Sequence, residues 1–305
     1  MSDELTPESL NQWQRWDERG WNWLRRNYVR LVVSAIAAVG FLVWWSFWWE
    51  PNRLTVNPVA ISVPQWPNGF AHLKVVALSD LHVGAPHITL DKVRDVVRQT
   101  NAQQPDLIVL LGDYVIQGIL GGHFTEPEAF AEILKDLHAP LGVYAVLGNH
   151  DWWLGEAQVT PPFERVGIRM LTNEAVRIER NGSALWIAGL GDYFTHHDDL
   201  EKTMRSVTTA DPILVITHTP DIFLKLPPQV ILTLAGHTHG GQVNLPLFGR
   251  RVVPSDYGDK YALGFVEEGE RRLFVTTGIG TSILPLRFRV PPEISVLTID
   301  GERRR

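Results

Sequence analysis

At 305 residues, with 45 % hydrophobic and 20 % charged residues, the chain can bury a sizeable core in one large or two modest domains. Its formal net charge of -6 argues against a general nucleic-acid binder, which carries a basic face. The absence of cysteine excludes disulfides, thiolate nucleophiles and zinc–thiolate sites.

Most of the 12 tryptophans precede Gln65, a skew that suits a membrane interface. Residues 31–49 carry no charge, and at about 1.5 Å per residue they nearly span a hydrocarbon layer of about 30 Å. Trp44, Trp45, Trp48 and Trp49 crowd the end of this run as an aromatic belt would. Arg15, Arg19, Arg25, Arg26 and Arg30 precede it, whereas only Arg53 and Lys74 follow nearby. The expectation is a cytoplasmic segment over 1–30, a single transmembrane anchor over 31–49, and the remainder on the outer, periplasmic or extracellular, side of the cytoplasmic membrane. Residues 25–30, Arg-Arg-Asn-Tyr-Val-Arg, resemble a twin-arginine export signal. No small-x-small cleavage site follows, which favours a retained anchor. Residues 1–24, with Trp13, Trp16, Trp21 and Trp23 among charges, read as an amphipathic helix on the inner leaflet or as a disordered tail. Residues 50–70 hold Pro51, Pro58, Pro64 and Pro67 and read as a linker, either an extended spacer or an edge strand.

The following body alternates strand and helix. Leu73–Ser79 is an apolar strand ending in Asp80-Leu81-His82, and Thr89–Gln99 has helical spacing with Thr89 as N-cap. Leu107–Leu111 is a second strand, ending in Gly112-Asp113; Glu128–Leu137 is the next helix. Val143–Leu147 then leads into Gly148-Asn149-His150-Asp151. Such alternation predicts a parallel sheet with a ligand crevice at the carboxyl ends of its strands. Beyond it, Asn181-Gly182 between two apolar runs signals a hairpin. Ile213–Thr217 ends in His218, Val230–Ala235 ends in Gly236-His237-Thr238-His239, and Arg271–Val275 and Ile294–Ile299 close the body. The expected fold is α/β, a four-layer α/β/β/α sandwich over residues 71–305.

Singly, each polar group has a dull explanation: a His after a strand is usually a hydrogen-bonded loop residue, and an Asp there is usually a turn or cap residue. Jointly they do not, because five apolar strands end in metal-competent side chains. Mixed carboxylate and imidazole donors suit Mn, Fe, Zn, Co or Ni rather than Ca or Mg. The donors are too many for one metal and a natural number for two divalent ions bridged by a carboxylate, a design suited to phosphoester hydrolysis.

Asp80-Leu-His82, Gly112-Asp113, Gly148-Asn-His-Asp151, His218 and Gly236-His-Thr-His239 resemble the five signature blocks of the calcineurin-like metallophosphoesterases, in order and spacing. The runs at 236–242 and 276–294 resemble the membrane-anchored or exported bacterial phosphodiesterases of that family. The resemblance implies that Asp80, His82 and His239 hold one metal, that Asp113 bridges, and that Asn149, His218 and His237 hold the other. It implies that a metal-bridging hydroxide attacks in line, that catalytic His150 serves the leaving or a non-bridging oxygen, and that Asp151 orients His150. The expected substrate is a phosphoester, attractive as a lipid-linked one beside a membrane anchor, with no nucleic-acid partner. A cytosolic-face UDP-diacylglucosamine pyrophosphohydrolase is the alternative reading, and a non-catalytic scaffold of the same fold a remote one. His72, His87 and His138 read as surface residues, and His123, His196 and His197 as candidates to reach the substrate. Arg287 and Arg289 belong to a packed connection or to a phosphate contact, the packing reading being preferred.

Overall fold

The computed structural model describes the backbone of residues 7–302 and side chains from residue 20 onward; the expectation for residues 1–24 falls partly outside them. The chain divides into two compact units, Met1–Trp45 and Ser46–Arg305. The first is helix α1, Pro7–Trp44. A π-helical turn, Trp45–Trp49, and the short α2, Glu50–Asn52, follow it. The stretch Gly20–Asn52 is long and apolar enough to cross a membrane, and its apolar window is exposed.

The second unit begins its sheets with β1, Thr55–Val63, and β2, Leu73–Leu78. Then come α3 (Leu90–Ala102), β3 (Leu107–Leu110), α4 (Pro127–Leu134) and β4 (Val143–Ala145). Next are α5 (Asn149–Leu154), α6 (Glu156–Arg165) and β5 (Arg169–Met170). The second half contains β6 (Glu174–Arg180), β7 (Ser183–Gly189), α7 (Leu200–Arg205), β8 (Ile213–Ile216) and β9 (Val230–Ala235). A small hairpin, β10 (Asn244–Leu245) and β11 (Gly249–Arg250), precedes β12 (Gly264–Glu268), β13 (Arg271–Val275) and β14 (Glu293–Gly301).

Two six-stranded sheets result, ordered β1-β14-β2-β3-β4-β5 and β12-β13-β9-β8-β7-β6. Strands β2 to β5 run parallel, as do β7, β8, β9 and β13, so each set delivers its carboxyl ends to one edge. The sheets face each other across a shared core: Val75, Ala77, Leu107 and Val109 meet Leu185, Ile187, Leu214 and Leu232. Val76, Leu78, Ile108 and Leu110 point the other way, beneath the layer of α3, α4 and α6. Trp186, Ala188 and Val215 likewise pack outward, with Ile222, Leu226 and the α7 residues Leu200 and Met204. Strands buried on both faces read as continuous apolar runs, which is why they were legible without alternation. The architecture is the expected four-layer α/β/β/α sandwich.

Two local points bear on the expectations. Thr89 caps α3 by accepting from the Lys92 N–H, and Asn181 and Gly182 take φ of 49° and 74°, as a type I′ hairpin turn requires. Of the two readings of residues 50–70, the edge strand is the one that forms: β1 joins the first sheet, paired in parallel with β14 over its full length. Proline is tolerated there because β1 is an edge strand, and Ile61 and Val63 bury into the shared core. The body thus takes up its chain well before residue 71.

Candidate metal centre

At the common edge, the chain leaves β2, β3 and β9 in left-handed turns. Asp80, His82, Asp113, His237 and His239 have φ of 54°, 44°, 56°, 68° and 50°. This region costs an ordinary L-residue roughly 1–2 kcal/mol and is best tolerated by Asp, Asn and His. Such strain persists where surrounding structure over-determines it, typically at functional sites. Here the strand tails tie one another down: Asp80 N–H donates to Gly112 O at 2.9 Å, His82 N–H to Asp113 O at 3.0 Å, and Gly236 N–H to His218 O at 2.9 Å. The Tyr114 hydroxyl lies between the carbonyls of Leu110 (3.0 Å) and Val146 (2.7 Å), binding the ends of β3 and β4 together. Glycine is required where ligands crowd the backbone, since a Cβ on Gly148 or Gly236 would overlap Asp113 or Ser79 respectively.

All seven expected ligands come together and are buried. Donor atoms of Asp80, His82 and His239 lie within 4.8 Å of one another, as do those of Asp113, His218 and His237. Asp113 joins the two groups: its Oδ2 is 3.6 Å from His82 Nε2 and 3.3 Å from His218 Nε2. The Asn149 Oδ1 lies 3.2 Å from His218 Nε2, and His237 Nδ1 lies 3.1 Å from the same nitrogen. His82 Nε2 and His239 Nε2 face each other at 3.2 Å, and His239 Nε2 is 3.3 Å from Asp80 Oδ1.

The outer ring nitrogens determine what the inner ones present. His82 Nδ1 sits 3.1 Å from the Val115 carbonyl, and His218 Nδ1 sits 2.7 Å from the Leu111 carbonyl. A carbonyl only accepts, so each Nδ1 carries a proton and each Nε2 turns to the centre. Burial lowers His82 to about 3 and His237 to about 4, and also pushes His239 down, so these rings are neutral near pH 7. Burial raises Asp80 to about 6 against the opposing pull of His218. Burial also opposes charge on His218, but Asp113 and Asp80 outweigh it and raise the ring to about 10. In this pile of acceptors, a proton on His218 stands where a cation would. His237 Nε2 is buried with no hydrogen-bond partner. Clustered carboxylate and imidazole donors, buried with few protons among them, fit divalent metal binding.

His150 lies beside this cluster, its ring edge-on to His82 at 4.7 Å and 4.8 Å from the Trp153 ring. Its backbone N–H donates to Asp113 Oδ1 at 2.9 Å, and its Nδ1 is buried without a partner. Burial holds the ring below the ordinary imidazole value, so it is neutral near pH 7 and has one N–H to give.

Asp151 departs from expectation, because it does not touch the His150 ring. Its Oδ2 accepts from Asp113 N–H (2.8 Å) and Gly148 N–H (2.9 Å), and its Oδ1 from Tyr114 N–H (3.0 Å) and Val115 N–H (3.2 Å). As the third residue of α5, it reaches back to the N-cap N–H and across to the turn after β3. Asp151 is thus a clamp on the ligand turns, not the support of His150.

The centre opens into a cavity of about 770 Å³ lined by Asp113, Asn149, His150, His237 and His239 together with Gln117, Trp153, Phe194 and Gln242. Neither His123, His196 nor His197 lines it; His197 stacks on Trp152 at 3.8 Å instead. His87 is half-buried and meets the Asn52 amide at 3.2 Å, while His72 pairs with Asp300. Arg287 is fully buried and donates to the carbonyls of Gly280, Thr277 and Val290, as the packing reading expected. Asp192, outside the expected site residues, is buried at the end of the β7 segment and accepts from Thr219 Oγ1 at 2.5 Å, beside His218. An acid after a sixth apolar strand was its available signal.

Residues 73–241, a span holding every candidate ligand named above, match the calcineurin-like phosphoesterase family. The chain is 31 % identical over 282 residues to an uncharacterized metallophosphoesterase of Bacillus subtilis, YkuE, covering 90 % of this chain and 97 % of that one. It is 31 % identical over 234 residues to the phosphodiesterase YaeI of Escherichia coli, covering 75 % and 83 %. It is 28 % identical over 325 residues to the UDP-2,3-diacylglucosamine pyrophosphatase LpxG of Chlamydia trachomatis, covering 87 % and 95 %. With that match superimposed on a complete set of buried donors, the chain belongs to the calcineurin-like phosphoesterase family and is a metal-dependent hydrolase of phosphoric esters.

Proposed function

We propose that the chain is a binuclear-metal phosphodiesterase or phosphatase, anchored by one transmembrane helix with its active site outside the cytoplasm, acting on a lipid-linked phosphoester. The observation that carries the reading is the sharing of Asp113 between two donor groups, with His150 beside them at the floor of one cavity. Asp80, His82 and His239 hold one divalent ion and Asn149, His218 and His237 the other, drawn from Mn, Fe, Zn, Co or Ni. Bound there, the pair acidifies a water and neutralises charge on the phosphoryl oxygens. The residues of the chain do the rest. Asp113 sets the spacing of the two donor groups, Asp151 holds the turn that carries Asp113, and His150 gives its N–H to the leaving or a non-bridging oxygen. Trp153 and Phe194 wall the mouth and limit water.

The clearest test is hydrolysis of bis-p-nitrophenyl phosphate with added Mn²⁺ by the wild type, His150→Ala and Asp113→Ala. Equal rates in all three would overturn the enzyme reading and leave the scaffold.

The name of the LpxG relative favours a second reading, a pyrophosphohydrolase acting on a UDP-linked diacylglucosamine at the cytoplasmic face. Arginines before the apolar helix and their scarcity after it support the opposite orientation, and Arg25-Arg26 supports twin-arginine export. A carboxyl-terminal alkaline phosphatase fusion separates the two: an active fusion supports the outer site, an inactive one the pyrophosphohydrolase.

A further inference from the structure

The mouth of the cavity carries a collar of apolar side chains that are exposed among the described residues. Leu247 is fully exposed at the tip between β10 and β11, with Phe248 beside it, and Val252, Ile283 and Leu284 are exposed nearby. Leu245, Val252, Ile283 and Leu284 also line the cavity, so the collar continues its wall outward. The two segments form one unit. Asn244 N–H donates to Phe288 O and Phe288 N–H to Gln242 O, each at 2.9 Å, and the Gln242 amide holds both the N–H and the carbonyl of Ser282. A soluble surface rarely spends its largest side chains this way unless something apolar covers them.

Two further observations identify that cover. Residues 240–254 and 280–292 contain four arginines and no acidic residue, although the chain as a whole carries -6. Of these, Arg251 and Arg289 are exposed beside the apolar tip, Arg251 lying over the Phe248 ring at 5.7 Å, while Arg250 donates inward to the Gly240 carbonyl at 2.9 Å. Apolar tips rimmed by arginine suit the boundary between acyl chains and anionic headgroups. The collar is also stitched to residues 46–52, which close the apolar stretch. Arg287 N–H donates to Ser46 O at 2.9 Å, Val290 N–H to Glu50 Oε1 at 2.6 Å, and His87 bridges Asn52 and the Pro285 carbonyl. The exposed Trp48 stands edge-on to His87 in the same place.

We propose that the Pro246–Phe248 tip and the Ile283–Leu284 loop insert into a lipid bilayer surface, a second membrane contact that seats the mouth of the metal cavity on the lipid. An amphiphilic phosphoester could then pass from bilayer to site without its acyl part crossing water. That consequence rests on the proposed phosphoesterase reading; the docking itself does not.

The lack of cysteine makes the test direct. Leu247→Cys and, as a control on the β12–β13 turn, Glu270→Cys each accept one nitroxide label in the full chain. Both are exposed, so neither label disturbs the core. Each is reconstituted into vesicles of phosphatidylcholine and phosphatidylglycerol, and power saturation is measured with oxygen and with a water-soluble nickel chelate. Insertion predicts an oxygen-to-nickel accessibility ratio several-fold higher at 247 than at 270. Equal ratios would overturn the proposal. So would spin–spin broadening at 247 without an oxygen preference, because a second copy of the chain would then cover the collar. Failure to hydrolyse any phosphodiester would count against the function alone and leave this measurement standing.

Discussion

Asp151 holds the turn of Asp113 through its backbone: one carboxylate oxygen takes the Asp113 N–H at 2.8 Å and the Gly148 N–H at 2.9 Å. The other takes the N–H groups of Tyr114 and Val115. Removing this acceptor strands four buried donors at once. Asp151→Ala is therefore expected to lose about 3 kcal/mol of stability, read by urea unfolding, and to purify with less than half the metal of the wild type. Full metal content with only turnover reduced would instead restore the role of orienting His150.

The His150 ring should behave differently, because its backbone N–H, not its side chain, reaches Asp113. His150→Ala is expected to keep the metal content of the wild type while turnover falls about 10²–10⁴-fold, the usual range for a lost proton-transfer group. Mass-spectrometric metal analysis beside the kinetics checks both halves, and metal loss would make His150 a ligand.

Gly148 tests crowding without strain. Its φ of -95° admits alanine, but a Cβ there would collide with the Asp113 carboxylate and lie 2.5 Å from the Asp113 nitrogen. Gly148→Ala should weaken metal retention at least tenfold. Gly182→Ala, with φ of 74° and open space around it, should cost about 1 kcal/mol and leave metal content untouched.

Metal loading should release a proton. Without metal, Asp113 and Asp80 raise His218 to about 10 against burial, so the ring is charged at pH 7, yet a ligand must be neutral. The sign follows: below about pH 10, each unit of acidification weakens binding at this site about tenfold, and each unit of alkalinity restores it. Calorimetry of metal binding in buffers of different ionisation enthalpy should report about one proton released per chain at pH 7. Binding enthalpies independent of buffer would refute this.

Arg287 and Arg289 should separate cleanly. Arg287 is fully buried against four carbonyls, including Gly278 O at 3.2 Å, so Arg287→Met should lose about 3 kcal/mol on denaturant unfolding. Arg289 is exposed, and Arg289→Ala should stay within about 0.5 kcal/mol.

The elements that were legible share a cause. β2, β3, β8 and β9 are covered on both faces, so their residues had to be apolar without interruption, and a polar residue at the end of such a run stood out. For β1 the prolines left a spacer and an edge strand both open, and only the pairing with β14 decides between them. α5 begins on Asn149, a candidate ligand, and His150, the candidate proton donor, whose chemistry hid the helix. Asp192 shows its place only in the fold, where its carboxylate accepts from Thr219 beside His218.

What the sequence determined by itself was the inventory: an uncharged apolar run rimmed with tryptophan, two sets of buried strands, and seven donor side chains set where those strands stop. What tertiary structure decided was the pairing. Asp113 and Asp151 are far apart along the chain, and only the parallel register of β3 and β4 brings a carboxylate under a turn instead of under His150. The left-handed backbone of five candidate ligands, and the carbonyls that fix which ring nitrogen faces the centre, arise the same way. A residue's type states which bonds it can make; which one it makes depends on the atoms that distant strands deliver to it.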